Sequence, residues 1–279
     1  MTSIKIATCQ FPVSADVARN LSFVRRQAER AAALGAEVAH FPEAALSGYA
    51  GVNLTARGGY DWPALRAATE RVQDVARRLE VWIIVGSAHP LSGNHKPHNS
   101  VYVFRPDGAL VDRYDKLFCT KKDLNYYTPG DYFAVFDIRG VRCGLLICHD
   151  MRYPELYREY YRRGVQVLFQ SFYNASNSGP TIHSVIVQPT MQAHAANNYM
   201  WMSVANASGS YQAWPSFFVS PEGGVLGRLR RNQAGVMVNV VDTKAPIKDK
   251  CGFRANAMAG VLHSGETVED PRSSARQTL

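Results

Sequence analysis

The residues that decide the fold are Val141-Arg142-Cys143-Gly144-Leu145-Leu146-Ile147-Cys148-His149-Asp150-Met151-Arg152-Tyr153-Pro154-Glu155. The apolar run at 141–147 predicts a strand. A helix is predicted to begin at about Tyr153, because Pro154 suits a first helical turn, and to end at Gly164. The apolar stretch at 165–169 predicts the next strand. This strand–helix–strand order is the clearest βαβ unit in the chain.

Strands and helices also alternate on either side of this unit. Further strands are predicted at 4–10, 38–41, 81–85 and 200–204, and further helices begin near Val17, after the N-cap residue Asp61 and near Met191. Hairpins at 100–111 and 216–226 interrupt the alternation, and a strand at 235–240 continues from the second. The pattern predicts one α/β domain over residues 1–279, with helices outside two packed sheets. The polar residues 250–279 are predicted to form a C-terminal arm or tail.

The composition is that of a globular protein. Hydrophobic residues make up 46% and charged residues 19% of the 279 positions, enough to bury a large core. The formal charge is +8, but the basic residues are scattered. Their densest cluster, at 228–231, fits solvated surface charge better than a nucleic-acid site. No nucleic-acid partner is predicted.

The sequence also suggests a compartment. No apolar run approaches the ~18 residues that cross a bilayer, and the N-terminus lacks the pattern of a signal peptide. The five cysteines are odd in number and widely spaced, which argues against a disulfide scaffold and against zinc-finger sites. We therefore expect a cytoplasmic protein that does not contact a membrane.

Cys148 lies where the apolar strand stops and the helix is about to begin. Side chains at this corner are exposed at the carboxyl end of a strand, where α/β proteins place their sites, and nucleophile elbows use the same geometry. A buried cysteine that acts as a small hydrophobe explains the segment equally well. His149 and Asp150 are poor partners for the thiol because adjacent side chains diverge. The spacing of the other histidines leaves a papain-like Cys–His pair open.

Two charged residues stand at comparable positions. Glu43 ends the strand predicted at 38–41, where an acid breaks the hydrophobic pattern. Lys116 follows the returning strand of the first hairpin. Taken alone, Glu43 is better explained as a loop carboxylate and Lys116 as a solvated lysine.

The order of the motifs changes this assessment. The motifs are Pro42-Glu43 with Leu46-Ser47-Gly48-Tyr49, then Tyr114-Asp115-Lys116, then Thr128-Pro129-Gly130-Asp131, then the segment from Gly144 to Glu155. In this order they resemble the nitrilase superfamily of carbon–nitrogen hydrolases, from the first strand to about Val240. The segment at Cys148 is similar to that family's Cys-aromatic-Asp-x-Arg-[Phe/Tyr]-Pro-Glu motif. Residues 192–206 are similar to the helix and strand that follow it.

The resemblance implies a four-layer αββα fold and a Glu-Lys-Cys triad, which corresponds here to Glu43, Lys116 and Cys148. In such a triad the carboxylate takes the thiol proton and passes it to the leaving amine. The ammonium favours the thiolate and, with the backbone N–H of His149, stabilises the tetrahedral oxyanion. The resemblance also implies a homodimer or larger homo-oligomer, and it implies no metal and no organic cofactor.

Two positions depart from the family pattern. The family's second glutamate is Asp123 here, which is shorter by one methylene and is expected to orient Lys116 or the substrate. His149 stands where the family commonly has Tyr or Trp, and nitrile-cleaving members follow the cysteine with Trp-Glu. The resemblance therefore implies a thiol hydrolase of a small linear amide or N-carbamoyl compound, which releases ammonia or an amine.

Other functions stay open at this point. A nitrilase or acyl transferase with the same triad is the alternative enzyme, and a non-catalytic binding protein on this fold is the alternative from another class. Tyr49, Arg152, Tyr173 and Asn174 are predicted to line the substrate site, on position alone. Arg152 could bind a carboxylate through two hydrogen bonds, although a salt bridge to a local acid fits its position as well.

Overall fold

Two six-stranded sheets pack face to face in the computed structural model, which describes residues 3–54, 59–174, 181–209, 211–247, 256, 259–260, 263 and 265–277. Its strands are β1 (Ser3–Gln10), β2 (Val38–His40), β3 (Trp82–His89), β4 (His98–Phe104), β5 (Leu110–Asp115), β6 (Val135–Ile138), β7 (Val141–Ile147), β8 (Val167–Phe172), β9 (Trp201–Asn206), β10 (Phe217–Val219), β11 (Val225–Arg228) and β12 (Gly235–Asp242). Its helices are α1 (Val17–Ala33), α2 (Trp62–Leu79), α3 (Pro154–Arg162), α4 (His183–Asn198) and α5 (Pro271–Ser274).

The two sheets share one connection plan. Their strand orders are β12-β1-β2-β3-β4-β5 and β6-β7-β8-β9-β10-β11. β1, β2 and β3 run parallel, as do β7, β8 and β9, and each set continues into an antiparallel hairpin. α1 and α2 link the first parallel set, whereas α3 and α4 link the second. The helices cover the outer faces, which confirms the predicted αββα sandwich.

Capped helices and apolar stripes explain the outer layers. The side chain of Asp61 accepts a hydrogen bond from the backbone N–H of Ala64 at 3.0 Å, so α2 begins where its N-cap predicts. Leu65, Ala68 and Val72 are buried on one face of α2 and pack in the cluster between the helices and the first sheet. The helical period of the sequence therefore sets which face meets the sheet.

Three elements differ from the sequence-based expectation. β12 does not extend the second hairpin but pairs with β1 in the other sheet, from Ser3 opposite Asp242 to Gln10 opposite Gly235. β6 was not predicted, because it has only four residues and one of them is the exposed Asp137. α4 begins at His183, well before the expected start near Met191. The prediction placed the start too late because Pro189 lies inside the helix, and a proline usually interrupts one.

A buried polar chain joins the two sheets. Nδ1 of His40 lies 2.8 Å from Oγ of Ser203, and Nε2 lies 3.0 Å from Oγ of Ser171. Ser171 donates its hydroxyl to the carbonyl of Phe41, so Nε2 must be the imidazole donor. Burial lowers the pKa of His40 to about 3, and the ring is neutral. The chain ties the end of β2 to the end of β8, where the candidate site begins.

The chain divides into two units, 1–247 and 248–279. The second contains α5, whose N-cap Asp270 accepts from the backbone N–H of Arg272 at 2.8 Å. The predicted arm at 250–279 falls in this unit, and its residues 250–255, 257–258, 261–262, 264 and 278–279 lie outside the described residues. Within the described ranges, no helix is both long enough and apolar enough to cross a membrane.

Candidate active site

Cys148 forms a sharp corner directly after β7. Its backbone φ is 43°, and the left-handed conformation costs a non-glycine residue about 1–3 kcal/mol. The residue begins a short 3₁₀ turn, Cys148–Arg152, that leads into α3. Its side chain is partly buried. The sulfur therefore lies at the carboxyl end of a parallel strand, where the sequence predicts a site.

The ammonium of Lys116 lies between two carboxylates. Nζ is 3.0 Å from Oε1 of Glu43 and 2.9 Å from Oδ2 of Asp123, and the lysine side chain is fully buried. Burial alone would lower the pKa of Lys116, but the negative groups around it, Glu43 foremost, outweigh burial and hold the pKa well above its usual value. The lysine is therefore charged at neutral pH.

Glu43 uses both of its carboxylate oxygens. Oε1 accepts from Nδ2 of Asn99 at 2.7 Å as well as from Lys116, and Oε2 accepts from the backbone N–H of Tyr173 at 2.8 Å. The charge of this carboxylate also raises the pKa of the Cys148 thiol. Burial raises the pKa of Glu43 above its usual value, and the nearby Lys116 opposes that rise. The carboxylate is thus fixed in orientation beside the sulfur.

The sulfur of Cys148 is a thiol at rest. Burial raises its pKa well above the usual value, the charge of Glu43 raises it further, and Lys116 lowers it by less. The ammonium acts in the expected direction but does not by itself produce a thiolate. A thiol nucleophile needs a base beside it, and Glu43 is the charged group that acts most strongly on this thiol.

Asp123 reaches Lys116 despite its shorter side chain. It begins a 3₁₀ turn, Asp123–Asn125, and Oδ2 also accepts from the backbone N–H of Thr120 at 3.0 Å. Its Oδ1 accepts from the hydroxyl of Tyr49 at 2.7 Å. Burial favours the neutral acid, but Lys116 and the hydrogen bonds from Tyr49 and Thr120 together outweigh burial, and the pKa of Asp123 lies below its usual value. Asp123 is a second anionic partner of the ammonium.

The four predicted substrate-lining residues separate into two groups. The rings of Tyr49 and Tyr173 stack with centroids 5.2 Å apart, and the buried Asn174 follows, its N–H bonded to Oδ1 of Asn206 at 3.1 Å. Arg152 is exposed, and within the described chain it forms no salt bridge. The local-acid alternative therefore finds no partner among those residues.

Positive groups gather near His149, the residue after the nucleophile. Its ring is half-buried and meets Tyr153 edge-on, with centroids 5.8 Å apart. Burial lowers the pKa of His149, Lys116 and Arg152 lower it further, and Asp123 opposes them. The imidazole beside Cys148 therefore favours its neutral form.

Sequence reasoning missed the part played by Asn99. It is buried near the start of β4, between His98 and Ser100 and before the apolar run, so no break in the sequence pattern marks it. Asp150 does not contact the thiol, as expected for a diverging neighbour: its carboxylate bonds to Tyr114, Ile147 and Phe118. Among the residues that the structure describes, no cluster of three His, Cys, Asp or Glu side chains could hold a metal ion.

Known proteins share this arrangement of sheets and sequence motifs. A family model described as carbon-nitrogen hydrolase matches residues 5–245, which include Glu43, Lys116 and Cys148. The chain belongs to the carbon–nitrogen hydrolase family. The omega-amidase NIT2 of Homo sapiens is 31% identical over 263 residues, which cover 88% of this hydrolase and 90% of that protein.

More distant relatives agree with this assignment. A chloroplastic omega-amidase of Arabidopsis thaliana is 29% identical over 261 residues, covering 86% of this hydrolase and 68% of that protein. An amidase of Nesterenkonia AN1 from the nitrilase superfamily has the same fold, with a TM-score of 0.76 at 22% identity over 87% of this chain and 92% of that one. The fold and the family of this hydrolase are therefore those that the sequence predicts.

Proposed function

We propose that this hydrolase is an amidase that cleaves a small linear amide or N-carbamoyl compound through Cys148, Glu43 and Lys116 and releases ammonia or an amine. One observation carries the proposal. A single carboxylate, that of Glu43, contacts the ammonium of Lys116 at 3.0 Å and also acts on the thiol of Cys148, whose pKa it raises. Acyl transfer to sulfur needs a base for the thiol and a cation for the oxyanion, and this arrangement supplies both.

In the first half of the proposed reaction, Glu43 takes the thiol proton as the sulfur of Cys148 attacks the carbonyl carbon. The carbonyl oxygen becomes an oxyanion, which Lys116 and the backbone N–H of His149 stabilise. Glu43 then gives the proton to the leaving nitrogen, the C–N bond breaks, and ammonia or an amine departs from a thioester. In the second half, Glu43 deprotonates water, which attacks the thioester, and the sulfur leaves as a thiol.

Asp123 is proposed as the supporting acid. Its contact with Lys116 at 2.9 Å keeps the ammonium charged while Glu43 carries a proton. The same carboxylate fixes the hydroxyl of Tyr49. These two contacts support the proposal that Asp123 serves in place of the family's longer glutamate.

A small amide with an anionic far end fits the surroundings best. The two named relatives are omega-amidases, and the Nesterenkonia amidase has been solved with butyramide and with the acetamide moiety of fluoroacetamide on its active-site cysteine. Tyr49, Tyr173 and Asn174 are proposed to line the site. Arg152 is exposed and forms no salt bridge within the described ranges, and is proposed to receive a substrate carboxylate.

The setting of the enzyme is proposed on the same grounds. We infer one hydrolase domain over residues 1–279 with an arm at 250–279, and assembly into a homodimer or larger homo-oligomer. A cytoplasmic location fits the cysteines, because Cys9, Cys119, Cys143 and Cys148 are all free and a reducing compartment keeps thiols in that state.

Ammonia release from matched substrates tests the proposal. The panel contains butyramide, a monoamide of a dicarboxylic acid, an N-carbamoyl amino acid and butyronitrile, with a chelator present because no metal is proposed. Mass spectrometry is expected to find an acyl adduct on Cys148. Cys148→Ala should show no turnover and no acyl adduct, while its circular dichroism spectrum stays unchanged. The control Cys119→Ala should keep both the turnover and the acyl adduct on Cys148. Turnover of the nitrile alone favours a nitrilase, and turnover by Cys148→Ala removes the proposed nucleophile.

A further inference from the structure

Asp150 is a buried carboxylate for which the proposed mechanism has no role. It accepts three hydrogen bonds: Oδ2 from the backbone N–H of Ile147 at 2.9 Å and from the hydroxyl of Tyr114 at 2.8 Å, and Oδ1 from the backbone N–H of Phe118 at 2.8 Å. Burial raises the pKa of Asp150 to about 6, so the side chain is an ionised acceptor at neutral pH. All three of these hydrogen bonds come from the scaffold and none comes from the thiol.

The three donors flank the two residues that react. Ile147 directly precedes Cys148 in the chain. Tyr114 and Phe118 lie on either side of Lys116. One carboxylate is therefore hydrogen-bonded both to the corner that carries the sulfur and to the segment that carries the ammonium.

The two segments that Asp150 hydrogen-bonds belong to different sheets. Lys116 follows β5 of the first sheet, where its N–H donates to the carbonyl of Asn99 and its carbonyl accepts from the N–H of Gly130, both at 2.9 Å. Cys148 follows β7 of the second sheet. Stacking of Phe118 on Tyr153, with centroids 3.4 Å apart, adds an apolar contact across the same boundary. Asp150 supplies directional bonds there, and hydrogen bonds fix distance and angle more tightly than ring contacts do.

We propose that Asp150 is a positioning residue that sets the separation between the sulfur of Cys148 and the ammonium of Lys116. This inference rests on the proposed function, because the separation matters only if both groups act on one carbonyl. Acyl transfer is sensitive to misplacement of about 1 Å. An amide cannot replace the carboxylate, because one of its two terminal atoms is a donor and faces at least one of the three N–H or O–H donors.

The test is Asp150→Asn, assayed for amide turnover and for the rate at which iodoacetamide alkylates Cys148. A lost hydrogen bond to a charged group corresponds to about a 10- to 100-fold change, and we expect kcat and the alkylation rate to fall by that factor. KM should stay within about 2-fold, since uniform substrate binding is not affected. The matched control is Asp137→Asn on β6, where the aspartate is exposed; it should leave both rates unchanged.

Tyr114→Phe keeps the proposal testable if Asp150→Asn does not fold. It removes one donor and leaves the carboxylate in place, so kcat and the alkylation rate should fall by about 3- to 10-fold, as for one neutral hydrogen bond. The proposal is overturned if a folded variant keeps the alkylation rate of the unmodified protein, or if kcat falls only in proportion to the unfolded fraction. If the unmodified protein hydrolyses no amide, the proposed function fails, and the alkylation rates still decide whether Asp150 positions the thiol.

Discussion

Replacing Lys116 by methionine should leave the two buried carboxylates of Glu43 and Asp123 without the ammonium that now lies between them. Nζ lies 3.0 Å and 2.9 Å from the two carboxylate oxygens that it contacts. At an effective dielectric constant near 20, each contact at about 3 Å is worth about 5 kcal/mol of Coulomb energy. Burying the ammonium costs several kcal/mol in return, and breaking a buried pair has a net cost of about 3–5 kcal/mol. We expect the free energy of unfolding to fall by that amount at pH 8.

This loss should shrink as the pH falls. Without the ammonium, the folded-state pKa values of Glu43 and Asp123 rise, so the folded protein binds more protons than the unfolded chain. Stability then increases with acidification by about 1.4 kcal/mol per pH unit for each carboxyl that titrates. Urea denaturation at pH 8, 7 and 6, followed by tryptophan fluorescence, measures the trend. The control is Lys121→Met, which removes an exposed lysine.

Two results would refute this reasoning. If Lys116→Met unfolds at the same urea concentration as the unmodified protein at pH 8, the ammonium does not compensate the two acids. If the loss is the same at pH 8 and pH 6, it comes from packing and not from charge. The Lys121→Met variant should differ from the unmodified protein at neither pH.

Two further predictions concern the acids and the inter-sheet histidine. Glu43→Ala should lower kcat by about 10²- to 10⁴-fold because it removes the proposed base, whereas Asp123→Ala should lower kcat by less because Lys116 keeps Glu43 as a partner. The rate of ammonia release at saturating amide compares the two variants. An equal or greater loss of kcat in Asp123→Ala would mean that the roles of the two acids are wrongly assigned. Burial lowers the pKa of His40 from 6.5 to about 3, so the unfolded chain binds the extra proton and stability is lost below pH 6.5 at up to about 1.4 kcal/mol per pH unit. His40→Gln should remove this part of the slope in urea titrations at pH 7 and pH 5, and an unchanged slope would contradict the assignment.

Local pattern was sufficient for most of the fold. β7 is a run of mostly apolar residues that ends at Cys148. α2 has both an N-cap at Asp61 and an apolar stripe with helical spacing, so the spacing of apolar residues and the residues that mark the ends of elements predict the same elements. The pairing of strands that are distant in the chain could not be predicted from such local patterns. β12 joins β1 across more than 220 residues of chain, and nothing in its composition distinguishes that partner from the adjacent hairpin. The partner of a strand is set by how its side chains pack against the rest of the molecule, and a short stretch of sequence does not contain that information.

The candidate site shows the same division. The three residues of the proposed triad could be identified because each lies at the end of a predicted strand and the motifs around them occur in the order of a known family. The residues that hold them could not, since their importance depends on which strands become neighbours. Asn99 matters because β4 runs beside the segment that carries Lys116, and Asp150 matters because its carboxylate turns away from the adjacent cysteine.

In the proposed mechanism, the charge count of the cluster favours Glu43, and not Lys116, as the group that activates the sulfur. Glu43 and Asp123 place two negative charges around one ammonium, so a thiolate at rest would add a further negative charge to a buried site, and the pKa of Cys148 is accordingly high. Transfer of the thiol proton to Glu43 leaves the total charge of the cluster unchanged. As the sulfur bonds to the carbonyl carbon, its negative charge moves to the carbonyl oxygen, where Lys116 is proposed to meet it. In the proposed mechanism the ammonium therefore stabilises the oxyanion, and Asp123 keeps it charged while Glu43 is neutral.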